Sequence, residues 1–216
     1  MTQAQDPDEL FDIVDAQGVP TGQQKRRADV HRDGDWHRSL HLWLVGGDGR
    51  DAWMLFQQRG QGKDTFPGML DSSVAGHLSA GETVWDALRE TEEEIGLPLT
   101  AADVELIGTR LIATDQGDTH DYEIQDIFLS RVDDPLSCCV PNPAELEAVI
   151  QVTIRDILPV LSGQEAWCWG QALHADGTRN RMRITRDLII PRIDGYFLKV
   201  ALAAQDWLAG RDVVRI

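Results

Sequence analysis

Three glutamates, Glu90, Glu93 and Glu94, occupy positions i, i+3 and i+4 of a short segment that ends at Gly96. On an α-helix those positions share a face, so the carboxylates project together. Side by side and unneutralised, they would repel one another. The arrangement becomes favourable when hard, oxygen-seeking divalent cations such as Mg2+ bridge the carboxylates to phosphate groups. The reverse face carries Trp85, Leu88 and Ile95 and can bury the helix against a core. A glycine-bounded loop, Gly76-His77-Leu78-Ser79-Ala80-Gly81-Glu82, leads into this segment. One side of the helix reads as anchor and the other as metal platform. The plain structural alternative is a solvated acidic helix stitched by i,i+4 ion pairs.

The pattern resembles the Nudix box, in which a glycine, five residues, Glu and seven residues precede Arg-Glu-U-x-Glu-Glu-x-Gly-U, where U is aliphatic. Gly76, Glu82, Arg89, Glu90, Glu93, Glu94, Gly96 and Leu97 take the motif positions. This chain departs from the pattern twice: six residues separate Glu82 from Arg89, and Thr91 stands at an aliphatic position. The resemblance implies an α/β/α sandwich around a mixed β-sheet and hydrolysis of a pyrophosphate linkage, an acid anhydride. It implies Mg2+ or Mn2+ held by Glu90, Glu93, Glu94 and the backbone carbonyl of Gly76, where only a small residue lets the chain approach a metal closely. Glu93 and Glu94 would be central to catalysis, and Glu82 would orient Arg89 or join as an outer ligand. A base outside the motif would come from ahead of the last strand, where Glu145 and Glu147 stand, with Glu145 preferred.

A second resemblance lies upstream. Val14-Asp15, Gly18 to Gly22, Lys25, His31-Arg32-Asp33-Gly34-Asp35-Trp36-His37-Arg38, Phe66-Pro67-Gly68 and Ser72 to His77 are similar to isopentenyl-diphosphate isomerases. They are more similar still to the Nudix hydrolases related to those isomerases. By that resemblance a second metal site would draw on His31, His37, His77, Asp121 and Glu123. The position of the isomerase's catalytic cysteine holds Ala75, and a methyl group does no thiol chemistry, so hydrolysis is expected over isomerisation. The absent cysteine and a His31–His37 spacing one residue shorter than in the isomerases predict that the complete second site is lost. His77 would still line the substrate pocket, with Arg59, Lys63 and Trp36 as substrate contacts on loops beside the site. Trp43, Trp53 and Trp85 read as core, and His41 as a core histidine within a strand. A non-catalytic binding module of the same fold is the third reading, opposed by the retention of all three glutamates.

Composition narrows the partners. A net charge of −16 argues against nucleic-acid or anionic-membrane binding, which need a basic footprint. It leaves room for a small phosphorylated substrate, because bound metals invert local electrostatics. Lysine occurs only at 25, 63 and 199, so positive charge is mostly arginine, whose planar fork suits phosphate. Cys138, Cys139 and Cys168 make a poor disulfide framework and point to a reducing cytoplasm. Residues Met1 to Leu10 lack the apolar segment of a signal peptide, and no run is long enough to span a membrane. A homodimer stays open.

Along the chain, Phe11 to Pro20 reads as strand, turn and strand, and Gln23 to Arg32 as loop. Leu40–Val45 and Ala52–Gln58 form a hairpin about Gly46-Gly47-Asp48-Gly49. Gly60 to Gly68 is loop and Met69 to Val74 extended. The acidic helix follows, capped at Gly96 ahead of Pro98. Val104–Ala113, Tyr122–Arg131 and Val149–Ile154 read as strands, and Arg155–Leu161 as a short helix. Gly163 to Asn180 reads as loop, and Leu188–Leu208 as a helix interrupted near Pro191. The organisation expected is an N-terminal hairpin extension (1–37), a Nudix domain (38–162) and a C-terminal loop and helix of the same domain (163–216).

Overall fold

Leu40, Leu42 and Leu44 alternate with His41, Trp43 and Val45 along β3 (Trp36–Gly46), and both sets are buried. A strand covered on both faces belongs in the middle of a sheet. In the computed structural model β3 lies parallel to β8 (Thr119–Arg131) on one side. On the other side it pairs antiparallel with β6 (Val74–His77) and, at its far end, with β4 (Trp53–Arg59). The structure describes residues 6–63, 65–192, 194–212 and 215–216, so the start of the polar segment read at Met1 to Leu10 lies outside the described residues.

Beyond β4 come β9 (Leu146–Thr153), β10 (Trp167–His174) and β11 (Arg179–Thr185), while β7 (Glu105–Gln116) flanks β8 at the opposite edge. The short β5 (Leu70–Asp71) pairs with β4 and completes a nine-stranded mixed sheet. Ile157, Val160, Val200, Ala201 and Ala204, from α4 (Ile154–Leu161) and α5 (Tyr196–Leu208), cover one face with Trp43, Phe56 and Ile150. Ala87, Leu88 and Ile95 around α2 (Arg89–Ile95), and Leu136 of α3 (Pro135–Cys138), cover the other with Leu40, Leu42 and Phe128. The result is three layers, α/β/α. Among the described residues no helix is long and apolar enough to cross a membrane.

The N-terminal extension is more structured than its sequence suggests. Strands β1 (Leu10–Val14) and β2 (Pro20–Arg26) pair as a separate two-stranded sheet, and α1 (Arg27–Asp33) follows directly. The loop expected over Gln23 to Arg32 is therefore strand and helix, closed by Gly34 in the left-handed region at φ 70°. The loop expected over Gly163 to Asn180 is likewise overturned, because Trp167 to Ala172 alternates exposed and buried as β10. Its outward tryptophans are covered by arginine stems from β11, Arg181 over Trp169 at 4.6 Å and Arg183 over Trp167 at 4.9 Å. The last helix begins at Tyr196 rather than Leu188, after the left-handed Gly195. Trp43 and Trp53 are core, but Trp85 is 50% exposed and only edges onto Phe128.

Candidate active site

The motif helix is placed by Leu88 and Ile95, both buried under the sheet, and is closed by Gly96 in the left-handed region at φ 68°. Anchoring that face turns Glu90, Glu93 and Glu94 onto the wall of one cavity of about 820 Å3. Gly76 on β6 makes the approach possible. A Cβ there would lie 2.4 Å from Cγ of Glu90, so any side chain would displace the carboxylate. Glu94 is almost fully buried and accepts a hydrogen bond from the Ala75 amide at 3.3 Å.

Arg89 closes the back of this cluster. It donates to Glu82 at 2.8 Å, to Glu90 at 2.5 Å and to Glu93 at 3.2 Å. The residue missing between Glu82 and Arg89 is absorbed by a 3-10 turn at Asp86–Leu88 that runs straight into α2. A 3-10 turn rises about 2.0 Å per residue against about 1.5 Å in an α-helix, so fewer residues span the same distance. Burial raises the pKa of Glu90 from 4.5 to about 7, with Arg89 opposing. Burial raises Glu94 from 4.5 to about 8, with Lys63 opposing. Two carboxylates held so far above their ordinary range want more positive charge than Arg89 and Lys63 supply.

Lys63 and Glu145 face the motif helix. The Lys63 ammonium bonds to Glu145 and stands 3.9 Å from Glu94. Glu147 instead accepts from Gln61 at 2.7 Å and does not line the cavity, which separates the two acids that the sequence left side by side. Arg59 is buried, donates to the Thr65 carbonyl at 3.0 Å and lies 3.6 Å from Asp71. Trp36 does not join the site: it packs on Tyr122 with ring centroids 5.5 Å apart, away from the cavity.

The opposite wall carries the histidines. Strand alternation puts His37, His77, Asp121 and Glu123 on one face of β3, β6 and β8, since Ser39 pairs with His77 and His37 with Glu123. His31 arrives from α1 and Phe11 stacks on His37 and His77 from β1, at 5.3 Å and 4.9 Å. One ligand atom from each of His31, His37, His77 and Asp121 lies within 4.8 Å of the others. The sequence expectation that this set is dispersed is overturned. Nε2 of all three histidines and Oδ1 of Asp121 are buried without a hydrogen-bond partner. Such orphans are costly unless something completes them, and a cation coordinated by nitrogen and oxygen would.

Burial holds these imidazoles neutral, His31 at about 4 and His37 and His77 also below their ordinary value. Burial raises Asp121, whereas Glu123 is held well below the usual carboxylate range by His77 and His37 despite its burial. Glu123 also accepts from Ser39 and, at 3.0 Å, from Gln125. His41 is a core histidine, 3 Å from the Tyr196 hydroxyl, yet its edge also lines the cavity. Sequence reasoning missed Asp71 and Arg192 on this wall. Burial alone would raise Asp71, but His41, Arg192 and Arg59 hold its carboxyl down. Arg192 presents a buried Nε with no partner among the described residues. Neither belongs to a motif, so spacing gave no signal for them.

Residues 35–168 match the model of the NUDIX domain family. Nudix hydrolase 3 of Arabidopsis thaliana is 35% identical over 163 residues, a match covering 73% of this chain but only 21% of that protein. An isopentenyl-diphosphate Delta-isomerase of Escherichia coli is 30% identical over 158 residues, covering 73% of this chain and 82% of that enzyme. The crystal structure of DR0079 from Deinococcus radiodurans aligns with a TM-score of 0.51 at 22% identity, over 73% of this chain and 91% of that one. That last likeness carries the fold alone.

Proposed function

Because this chain belongs to the Nudix hydrolase family, a family of pyrophosphohydrolases acting on acid anhydrides, we propose that it cleaves a diphosphate linkage in a small polar metabolite with the help of Mg2+ or Mn2+. The observation that carries this reading is the convergence of Glu90, Glu93, Glu94 and Glu145 with Lys63 and Arg59 on one cavity. Even with Arg89, which bonds Glu90 and Glu93, the four carboxylates outnumber the three cations beside them, and so charged a wall disfavours an apolar ligand. Divalent metal held by Glu90, Glu93, Glu94 and the Gly76 carbonyl would neutralise phosphate charge and activate a water.

The remaining work falls to the chain itself. Glu145, joined to Lys63 on the wall facing the motif helix, would take a proton from an attacking water. Lys63 and Arg59 are placed to hold phosphoryl oxygens, Arg59 with a guanidinium already fixed by Thr65. Arg89 holds Glu82, Glu90 and Glu93 in register and acts by positioning. The far wall, with Ser39, His41, Asp71 and Arg192, is polar. A prenyl chain laid there would leave those groups unpaired, which favours a nucleoside diphosphate linked to a further group over an isoprenoid diphosphate.

Isomerisation is opposed at the position of the isomerase's cysteine. Ala75 faces His41 across the β3–β6 ladder, and none of Cys138, Cys139 and Cys168 lines the cavity. Their free state fits the reducing, cytoplasmic setting we assign to the protein. The histidine set supports a second metal site of His31, His37, His77, Asp121 and Glu123, where imidazole nitrogen favours a transition ion over Mg2+. Residues 38–162 supply both walls except for Asp6, Glu9, residues of α1, Ile190 and Arg192, so we treat 1–37 and 163–216 as parts of the same domain. The test is release of phosphate or nucleotide from a panel of pyrophosphates, with and without Mg2+. No release from any compound by the folded protein would favour a binding module instead.

A further inference from the structure

Arg27 and His31 stand four residues apart on α1 and face the same cavity. Arg27 NH1 lies 3.0 Å from Nδ1 of His77, and its guanidinium sits 5.8 Å above the Phe11 ring. Among the described residues Arg27 has no carboxylate within ion-pair distance. A guanidinium carries only donors, so in this contact Nδ1 of His77 must accept. A neutral imidazole that accepts at Nδ1 carries its proton at Nε2.

Nε2 is the atom that His77 turns toward the cluster, 4.0 Å from Glu123. Metal ligation needs a bare lone pair there, and therefore a proton on Nδ1. With Arg27 in place, two N–H groups would then face each other across 3.0 Å. His37 shows the opposite arrangement. Its Nδ1 lies 3.0 Å from the Asp35 carbonyl, which can only accept, so Nε2 of His37 is left bare for a ligand. The cluster thus holds one histidine set for coordination and one set against it, and the cation that sets the second is in the chain.

We propose that Arg27 and a metal ion are alternative cationic partners of His77. With Arg27 bound, His77 is locked in the tautomer that does not ligate. When a metal takes Nε2, the guanidinium is expelled into the cavity, where it is free to meet the anionic substrate. Arg27 is then a positioning residue that couples occupancy of the histidine site to the charge presented to substrate. The inference rests on the second-metal reading given above.

The test uses the full chain and Co2+ alone as probe. Visible absorption follows the titration, and His37→Ala defines the part that belongs to the histidine site. Arg27→Met is expected to bind Co2+ at that site roughly 10-fold or more tightly, the scale on which partners of ligating histidines act. Arg27→Lys, which still donates and never accepts, is expected to stay near wild type. Long-range 1H–15N correlation in EDTA is expected to show His77 protonated at Nε2 in the unaltered protein, a readout that requires no variant to fold. Protonation of His77 at Nδ1 in that spectrum, or unchanged or weaker Co2+ binding in a folded Arg27→Met, would overturn the role of Arg27. Absence of His37-dependent Co2+ binding in both proteins would overturn the metal site itself, and the two failures are distinct.

Discussion

Stability of the metal-free protein should peak near pH 6.5, and its alkaline fall should be traceable to Glu94. Burial raises Glu90 from 4.5 to about 7 and Glu94 from 4.5 to about 8. A carboxyl raised on folding keeps a proton that the unfolded chain has lost, so stability falls as pH rises between the unfolded and folded values. The histidines act in the opposite sense. His31 and His41 are pushed by burial from 6.5 to about 4, and His37 and His77 are lowered as well. Between those values the unfolded chain binds more protons, so stability rises with pH. At about pH 6.5 the unfolded imidazoles are still half protonated, so the histidines offset part of the glutamate loss up to about pH 7.5, above which the glutamates act alone.

Integrating from about pH 6.5 to about pH 8.5 gives a loss of about 2 kcal/mol from Glu94 and about 1 kcal/mol from Glu90. Asp121, also raised by burial, adds in the same direction. Over the same window the four histidines return roughly 1.5 kcal/mol, so the net loss of roughly 1.5 kcal/mol lowers Tm by roughly 3–6 °C for a chain of this length. Glu94→Gln should remove at least two thirds of that fall, because the charge on Glu90 also pushes Glu94 up and the two relax together. Thermal unfolding in EDTA across this window is the assay, with saturating Mg2+ as the control that should abolish the fall. A flat Tm in the wild-type protein, or the same slope in Glu94→Gln, would refute the claim that these carboxyls are buried and uncompensated.

Three further outcomes are expected. Glu93→Gln and Glu94→Gln should each lower kcat by about 10²-fold or more with unchanged far-UV circular dichroism, since each removes charge without volume; wild-type turnover in both would remove the metal platform. Gly76→Ala should weaken Mg2+ binding measured by calorimetry, because its Cβ would sit 2.4 Å from Cγ of Glu90, and equal affinity would show that Glu90 is not a ligand. Activity should vanish in excess EDTA, and at sub-saturating Mg2+ it should climb between about pH 7 and pH 8.5 as Glu90 and Glu94 ionise to accept metal; a pH-independent profile would sever that link.

Much of the molecule was legible because burial writes period and spacing into sequence. The run Leu40 to Val45 marked the central strand, and Glu90, Glu93 and Glu94 marked the cavity-facing side of α2 together with the cap at Gly96. The hairpin β10–β11 escaped because its outward face is tryptophan and arginine that cover each other, which blurs the alternation of apolar and polar residues. Arg192 and Asp71 escaped for another reason. They enter the cavity from β5 and from the approach to α5, and only tertiary packing brings those segments to one wall.

The histidine set shows how a spacing argument fails. The interval from His31 to His37 is one residue shorter than in the isomerases, and with the absent cysteine it predicts loss of the complete site. The chain there runs as the end of α1, which carries His31 back over the sheet. Gly34 then reverses the chain in the left-handed region, with a Cβ there only 3.2 Å from His120 and 3.3 Å from Tyr122. Two residues later β3 begins, and pleating alone turns His37 to His31 and His77 while Trp36 turns to Tyr122. The distance between two ligands is set by the elements that hold them, not by the residues that separate them. The same holds across the motif, where a 3-10 turn recovers the Glu82–Arg89 pair from a shortened segment. In both places the segment is one residue shorter than the resemblance leads one to expect, and the side chains that need to meet still do.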